Sequence, residues 1–136
     1  MTEKYTLGID IGTTGVKASI LDVDAGKVVA HSLKEHPLFH PKPGYAEQEG
    51  DNYWKAVLGA IKDCFSQGSY AEKIAGVSLS GLVGVMLPID RDGKPVRPGM
   101  IWMDSRSEEE CTDIRNTIGE DKINQINGNR VAPWFV

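Results

Sequence analysis

The residues best suited to chemistry in this chain lie in one short stretch, Asp10-Ile11-Gly12-Thr13-Thr14-Gly15-Val16-Lys17. A carboxylate, two glycines, two hydroxyls and a lysine around a single tight turn suit the handling of phosphate. Gly12 and Gly15 allow positive φ and put no Cβ between backbone N–H groups and an approaching anion, while Thr13 and Thr14 add hydroxyl donors. Asp10 can hold a hydrated magnesium ion beside that anion, because Mg²⁺ keeps most of its waters and takes one or two carboxylates. A carboxylate inside an otherwise apolar run costs free energy without such compensation. Lys17 either faces the same anion or is a solvated, outward strand residue. The stretch matches neither the Walker A pattern nor the GxGxxG dinucleotide fingerprint. A plain hairpin, in which Gly and Thr serve turn geometry alone, is the competing reading.

The elements that must position this turn follow from the hydrophobic pattern. The short apolar run from Tyr5 to Ile11 predicts a buried strand, and Ala18 to Val23 resumes the alternation of a second, so the turn joins two strands. With Lys27 to His36 they predict a three-stranded meander. The segment HPLFHPKPG (36–44), with three prolines and a glycine, is a connecting loop. Tyr53, Trp54, Val57, Leu58, Ile61 and Phe65 recur at helical intervals and predict a helix over 52–65, capped by Asp51 or Asn52. Ile74 to Leu79 predicts another buried strand, Gly84 to Ile89 a further one, and 90–94 a hairpin-type turn. Ser105 or Ser107 ahead of Glu108, Glu109 and Glu110 predicts a helix to about Thr117, with acids at its positive end. A short helix is expected over 121–126.

The bulk composition excludes several classes. At 136 residues, 40% hydrophobic and 25% charged, the chain reads as one soluble globular domain. A net charge of −4 with scattered Lys and Arg argues against nucleic-acid binding. No apolar run is long enough to span a membrane and no signal pattern opens the chain, so a cytoplasmic location is expected. Cys64 and Cys111 are far apart and have no Cys or His at metal spacing, which predicts buried or incidental thiols. His31, His36 and His40 lack ligand spacing and are read as surface or strand residues.

Taken in order, GIDIGTTGVKASILD, GYAEQEGDNYW, IDRDGKPVRPGMIWMDSR and INGNRVAPWF resemble the N-terminus of the FGGY family of carbohydrate kinases, over nearly the whole chain. The resemblance implies an α/β fold, the actin-like (ribonuclease H-like) ATPase N-terminal half-domain, with a mixed sheet and flanking helices. It implies ATP-dependent phosphorylation of a sugar or polyol hydroxyl, with ATP and Mg²⁺ as cofactors. Asp10 then becomes the magnesium position, Gly12, Thr13, Thr14 and Gly15 the loop around the ATP phosphates, and Lys17 a group near those phosphates. The implied sugar-facing positions are Val83, Gly84, Trp102, Asp104 and Arg106. Where xylulose kinase-like members carry a Gly-Gln-Met-His run, this chain reads Ser80-Gly81-Leu82-Val83-Gly84, without the polar groups that contact a polyol. Trp102, Asp104 and Arg106 either contact sugar, or form a core tryptophan and an Asp–Arg pair that fixes the loop.

The resemblance also implies a catalytic base, and a second domain holding adenine, that lie outside these residues. Residues 1–136 are therefore expected to be one partial domain, an N-terminal fragment not active alone. A non-catalytic binding module with the same half-domain is the alternative. The uncovered sheet edge and apolar helix faces expected of a half-domain predict self-association.

Overall fold

A computed structural model describes residues 4–135. In chain order the elements are β1 (Tyr5–Ile11), β2 (Gly15–Asp22), β3 (Lys27–Glu35), β4 (Glu47–Gln48), α1 (Gly50–Ser66), β5 (Ile74–Gly81), β6 (Gly99–Met100), α2 (Glu108–Ile118) and α3 (Glu120–Asn127), with short 3₁₀ turns at Ala71–Lys73 and Pro133–Phe135. They form two compact units. The first runs to Pro37 and adds Gly50–Leu82; the second comprises Leu38–Glu49 and the chain from Val83.

The first unit is a four-stranded sheet in the order β3-β2-β1-β5. β1 pairs antiparallel with β2, and β2 with β3, whereas β5 runs parallel to β1. Successive side chains of a strand point to opposite faces. On one face Tyr5, Leu7 and Ile9 of β1, Val16, Ala18 and Ile20 of β2 and Ala30 of β3 are buried. Complete burial of Val16 and Ile20 contributes about 1.5–3 kcal/mol each. α1 covers this face over β2 and β3. Its buried stripe is Ala56, Val57, Ala60 and Cys64, with Ile61 and Phe65 at the margin.

That stripe corrects the sequence reading of the helix. Trp54 and Leu58 are exposed, because the inward positions are taken by small residues that let the helix come close to the sheet. The helix also begins at Gly50, so Asp51 belongs to its first turn and is not its cap. Both cysteines are fully buried free thiols. The Cys64 thiol donates to the Ala18 carbonyl oxygen at 3.3 Å, and burial raises the pKa of both thiols.

In the second unit β4 and β6 pair antiparallel, Glu47 opposite Met100 and Gln48 opposite Gly99. The strand expected over Gly84 to Ile89 is not formed. Only isolated bridges occur there, Met86 with Met100 and Ile89 with Pro95. Gly84 sits at φ +72°, outside the extended region, and Pro88 and Pro95 have no N–H to give a ladder. α2 starts with three glutamates in its first turn, as the dipole favours. Ser107 is its N-cap residue but makes no side-chain cap bond to the helix backbone. α3 ends at Gly128, which is left-handed at φ +75°. Among the described residues no helix is long and apolar enough to cross a membrane.

Candidate functional site

The turn between β1 and β2 is held by its main chain. The Gly12 N–H donates to the Gly15 carbonyl at 3.0 Å, and the His36 N–H donates to the Thr14 carbonyl at 3.2 Å. Neither Gly12 nor Gly15 has positive φ, so the expected reason for these glycines is wrong. The Gly12 N–H, turned into the hairpin, is likewise not presented to an anion. What requires glycine is proximity. A Cβ on Gly15 would lie 2.8 Å from the Lys34 carbonyl oxygen and 3.1 Å from the Glu35 Cα, and one on Gly12 would lie 3.1 Å from the Gly15 carbonyl oxygen.

The strand register carries the chemistry-bearing side chains to the face opposite the core. Asp10 is paired with Lys17 on one side and with Ser80 on the other, and Gly8 with Ser19 and Ser78. Gly8, Asp10, Lys17, Ser19, Ser78 and Ser80 share an open groove of about 310 Å³. Asp10 and Lys17 are exposed, and no ion pair occupies Asp10 among the described residues. One exposed carboxylate among hydroxyls fits a hydrated Mg²⁺, which needs no protein cage. A denser metal centre is not built here: among the described residues no group of three His, Cys, Asp or Glu could hold a metal. The serines were missed by sequence reading. Their period-two spacing in Val77-Ser78-Leu79-Ser80 was visible, but the parallel pairing that sets them beside Asp10 was not.

The second unit holds the other candidate residues. Asp104 is 6% exposed, and both its oxygens are engaged. Oδ2 accepts the Ala46 N–H at 2.8 Å and Arg106 Nη2 at 2.6 Å. Oδ1 accepts the Arg106 N–H at 3.0 Å and Nε at 2.8 Å. Arg106 Nη2 also donates to Glu47 Oε1 at 2.7 Å, and Arg97 donates to the same oxygen at 2.8 Å. The guanidinium stacks 3.7 Å above the Tyr45 ring centroid. Burial by itself opposes the Asp104 charge, but the hydrogen bonds from Arg106 and the Ala46 N–H outweigh it and hold the carboxyl below the usual range. The hydrogen bond to Asp104 first, and then that to Glu47, raise the Arg106 pKa in turn.

This pair fixes its loop. It also forms one wall of a cavity of about 190 Å³, whose lining includes Gly84, Met86, Met100, Asp104, Arg106 and Trp134. Val83 is 81% exposed and Trp102 47%, so Trp102 is not the core tryptophan of the sequence reading. Val83 and Trp102 are not among the cavity-lining residues. Gly84 is again a position of close approach, since a Cβ there would lie 3.1 Å from that of Trp102. Glu47 and Trp134 were not anticipated as partners of these residues, because each is remote in sequence from the WMDSR segment.

Three antiparallel strands continued by a parallel one, with polar groups at the first hairpin and a helix on the opposite face, define the actin-like ATPase fold. The family described as "FGGY family of carbohydrate kinases, N-terminal domain" matches residues 5–136. The chain belongs to this family. It is 30% identical over 131 residues to xylulose kinase of Staphylococcus xylosus, covering 96% of this chain and 27% of that protein. It is 31% identical over 137 residues to glycerol kinase of Oceanobacillus iheyensis, covering 99% and 27%. A crystal structure of gluconate kinase from Lactobacillus acidophilus superimposes with a TM-score of 0.89 at 28% identity, covering 98% of this chain and 26% of that one. The chain thus spans about a quarter of the length of these relatives.

Proposed function

We propose that residues 1–136 are one partial domain, the first part of the N-terminal domain of an ATP-dependent kinase that phosphorylates a sugar or polyol hydroxyl. The observation that carries this reading is the exposed Asp10, cross-strand from Lys17 and Ser80, in a chain whose family consists of carbohydrate kinases. Phosphoryl transfer is mainly positioning and electrostatic stabilisation. Asp10 would hold Mg²⁺ through its waters, and the bound ion would offset phosphate charge. Lys17 would add a second positive charge, while Thr13 and Thr14 would donate hydrogen bonds to phosphate oxygens. Trp102 and the cavity beside Asp104 and Arg106 would receive the sugar. The general base and the adenine pocket would come from residues other than these, so this chain alone is not expected to turn over. The protein would be cytoplasmic.

A titration of the ¹⁵N-labelled chain with Mg·ATP tests the reading. Shifts confined to Gly12–Lys17 and Ser78–Ser80, and lost in Asp10→Asn, are expected. Unmoved resonances at millimolar nucleotide would remove independent nucleotide binding.

A non-catalytic binding module is the second reading, and one observation favours it. The Asp104 oxygens are spent on the Ala46 N–H and on Arg106, and the Val83 and Gly84 side chains bring no polar group, so few partners remain for sugar hydroxyls. Self-association of this chain is proposed as well, supported by the edge strand β5, whose Val77 and Leu79 are 61% and 69% exposed. Light scattering that gave a strict monomer at high concentration would count against it.

A further inference from the structure

His36 follows β3 directly and is 7% exposed, a burial the sequence did not announce. Its ring is turned to the phosphate turn: Nε2 lies 3.1 Å from the Gly12 carbonyl oxygen. Its main-chain N–H takes the Thr14 carbonyl of the same turn. A carbonyl oxygen only accepts, so Nε2 must carry the proton, which fixes the tautomer. The ring also packs edge-on against Tyr53 of α1, with centroids 4.7 Å apart at 62°. The turn is thereby tied to β3 and to α1, and α1 lies remote from it in sequence.

We propose that His36 is a positioning residue for this turn. Carbonyl oxygens carry partial negative charge and would repel a polyphosphate. Donors from one residue hold two of the turn's carbonyls, those of Gly12 and Thr14, on the His36 side. His36 does not touch the nucleotide; it acts through the turn. A phenylalanine would fill the same space next to Tyr53 but leave the Gly12 carbonyl without its side-chain donor. A glutamine carries a donor nitrogen at nearly the reach of Nε2.

The inference rests on the reading that the turn receives ATP, and the experiment separates the two. In the ¹⁵N-labelled chain, the imidazole nitrogens should report the Nε2–H tautomer. His36→Phe should shift and broaden the Thr13–Gly15 amides and weaken Mg·ATP binding by about fivefold, the loss of one hydrogen bond. His36→Gln should restore both the amides and the affinity. An Nδ1–H tautomer overturns the proposal. So do turn amides that are unchanged in His36→Phe, or a folded His36→Gln that behaves like His36→Phe. If the unaltered chain shows no response to Mg·ATP, the nucleotide reading fails, while the tautomer and the amides still decide the clamp.

Discussion

The Gly12–Gly15 turn and the Trp102–Arg106 loop are stiffened by opposite means. The turn is fixed by main-chain hydrogen bonds and by lack of space, with its charged neighbours Asp10 and Lys17 left exposed. The loop is fixed by its charges, because Asp104 and Arg106 spend their hydrogen bonds on each other, on Glu47 and on the Ala46 backbone. The difference shows that residue types suited to chemistry are not equal evidence for it. A charged side chain left over after folding is free to meet a ligand, whereas one that closes a loop is first a part of the scaffold.

Breaking the charge network tests the loop half of this contrast and has the largest expected effect. Asp104→Ala leaves the Ala46 N–H and part of the Arg106 guanidinium unpartnered, and loss of one member of a buried pair costs about 3–5 kcal/mol. Hydrogen exchange should show Ala46 and Arg106 amides losing protection while β1 and β2 keep theirs. Equal loss in both would mean that the loop is not a separate polar scaffold. Gly15→Ala tests the turn half. The added Cβ meets Lys34 and Glu35 main chain, which cannot yield as a flexible side chain does, and overpacking of this kind costs about 1–3 kcal/mol. Urea unfolding should give that loss, and a neutral result would remove the steric account of Gly15.

Acid separates the two regions more gently. Because the folded Asp104 carboxyl titrates below its unfolded value, of about 3.9, its contribution is complete above that value and is lost as pH falls through the folded one. As pH falls through that folded value the Ala46 and Arg106 amides should therefore lose protection, while the Gly12 amide, bonded to a carbonyl, should not. Loss of both in one step would contradict the comparison.

Much of this was legible in sequence. The meander, the crossover helix and β5 follow from alternation and helical spacing, which local residues dictate. What was not legible depends on contacts between distant residues. Small side chains at Ala56, Ala60 and Cys64 carry the helix contact, while the larger Trp54 and Leu58, at the same helical spacing in sequence, are exposed. Gly12 and Gly15 stand out in the sequence for a φ they do not adopt; the cause at Gly15, the approach of β3, lies about twenty residues away in sequence. The segment from Gly84 to Ile89 looks apolar enough for a strand, and the left-handed Gly84 and Pro88 defeat it. Asp104 and Arg106 stood out as a motif, but Glu47, which completes their network, carried no signal of its own.

The smallest effect on stability, and the sharpest test of what the turn leaves free, belongs to Lys17. It is exposed beside Asp10 in the register. Lys17→Met keeps the unbranched chain and removes only the charge, so stability should change by no more than about 0.5 kcal/mol. If Lys17 is merely a solvated strand residue, Mg·ATP should bind the variant as it binds the unaltered chain. If it lies near the phosphates, affinity should fall severalfold, and the loss should shrink as salt is raised, because an exposed charge acts through a screened field. A salt-independent loss would point to altered turn geometry, and the Gly12–Gly15 amide shifts would reveal it. An effect on binding without one on stability is what a side chain left over by folding, and available to a ligand, should produce.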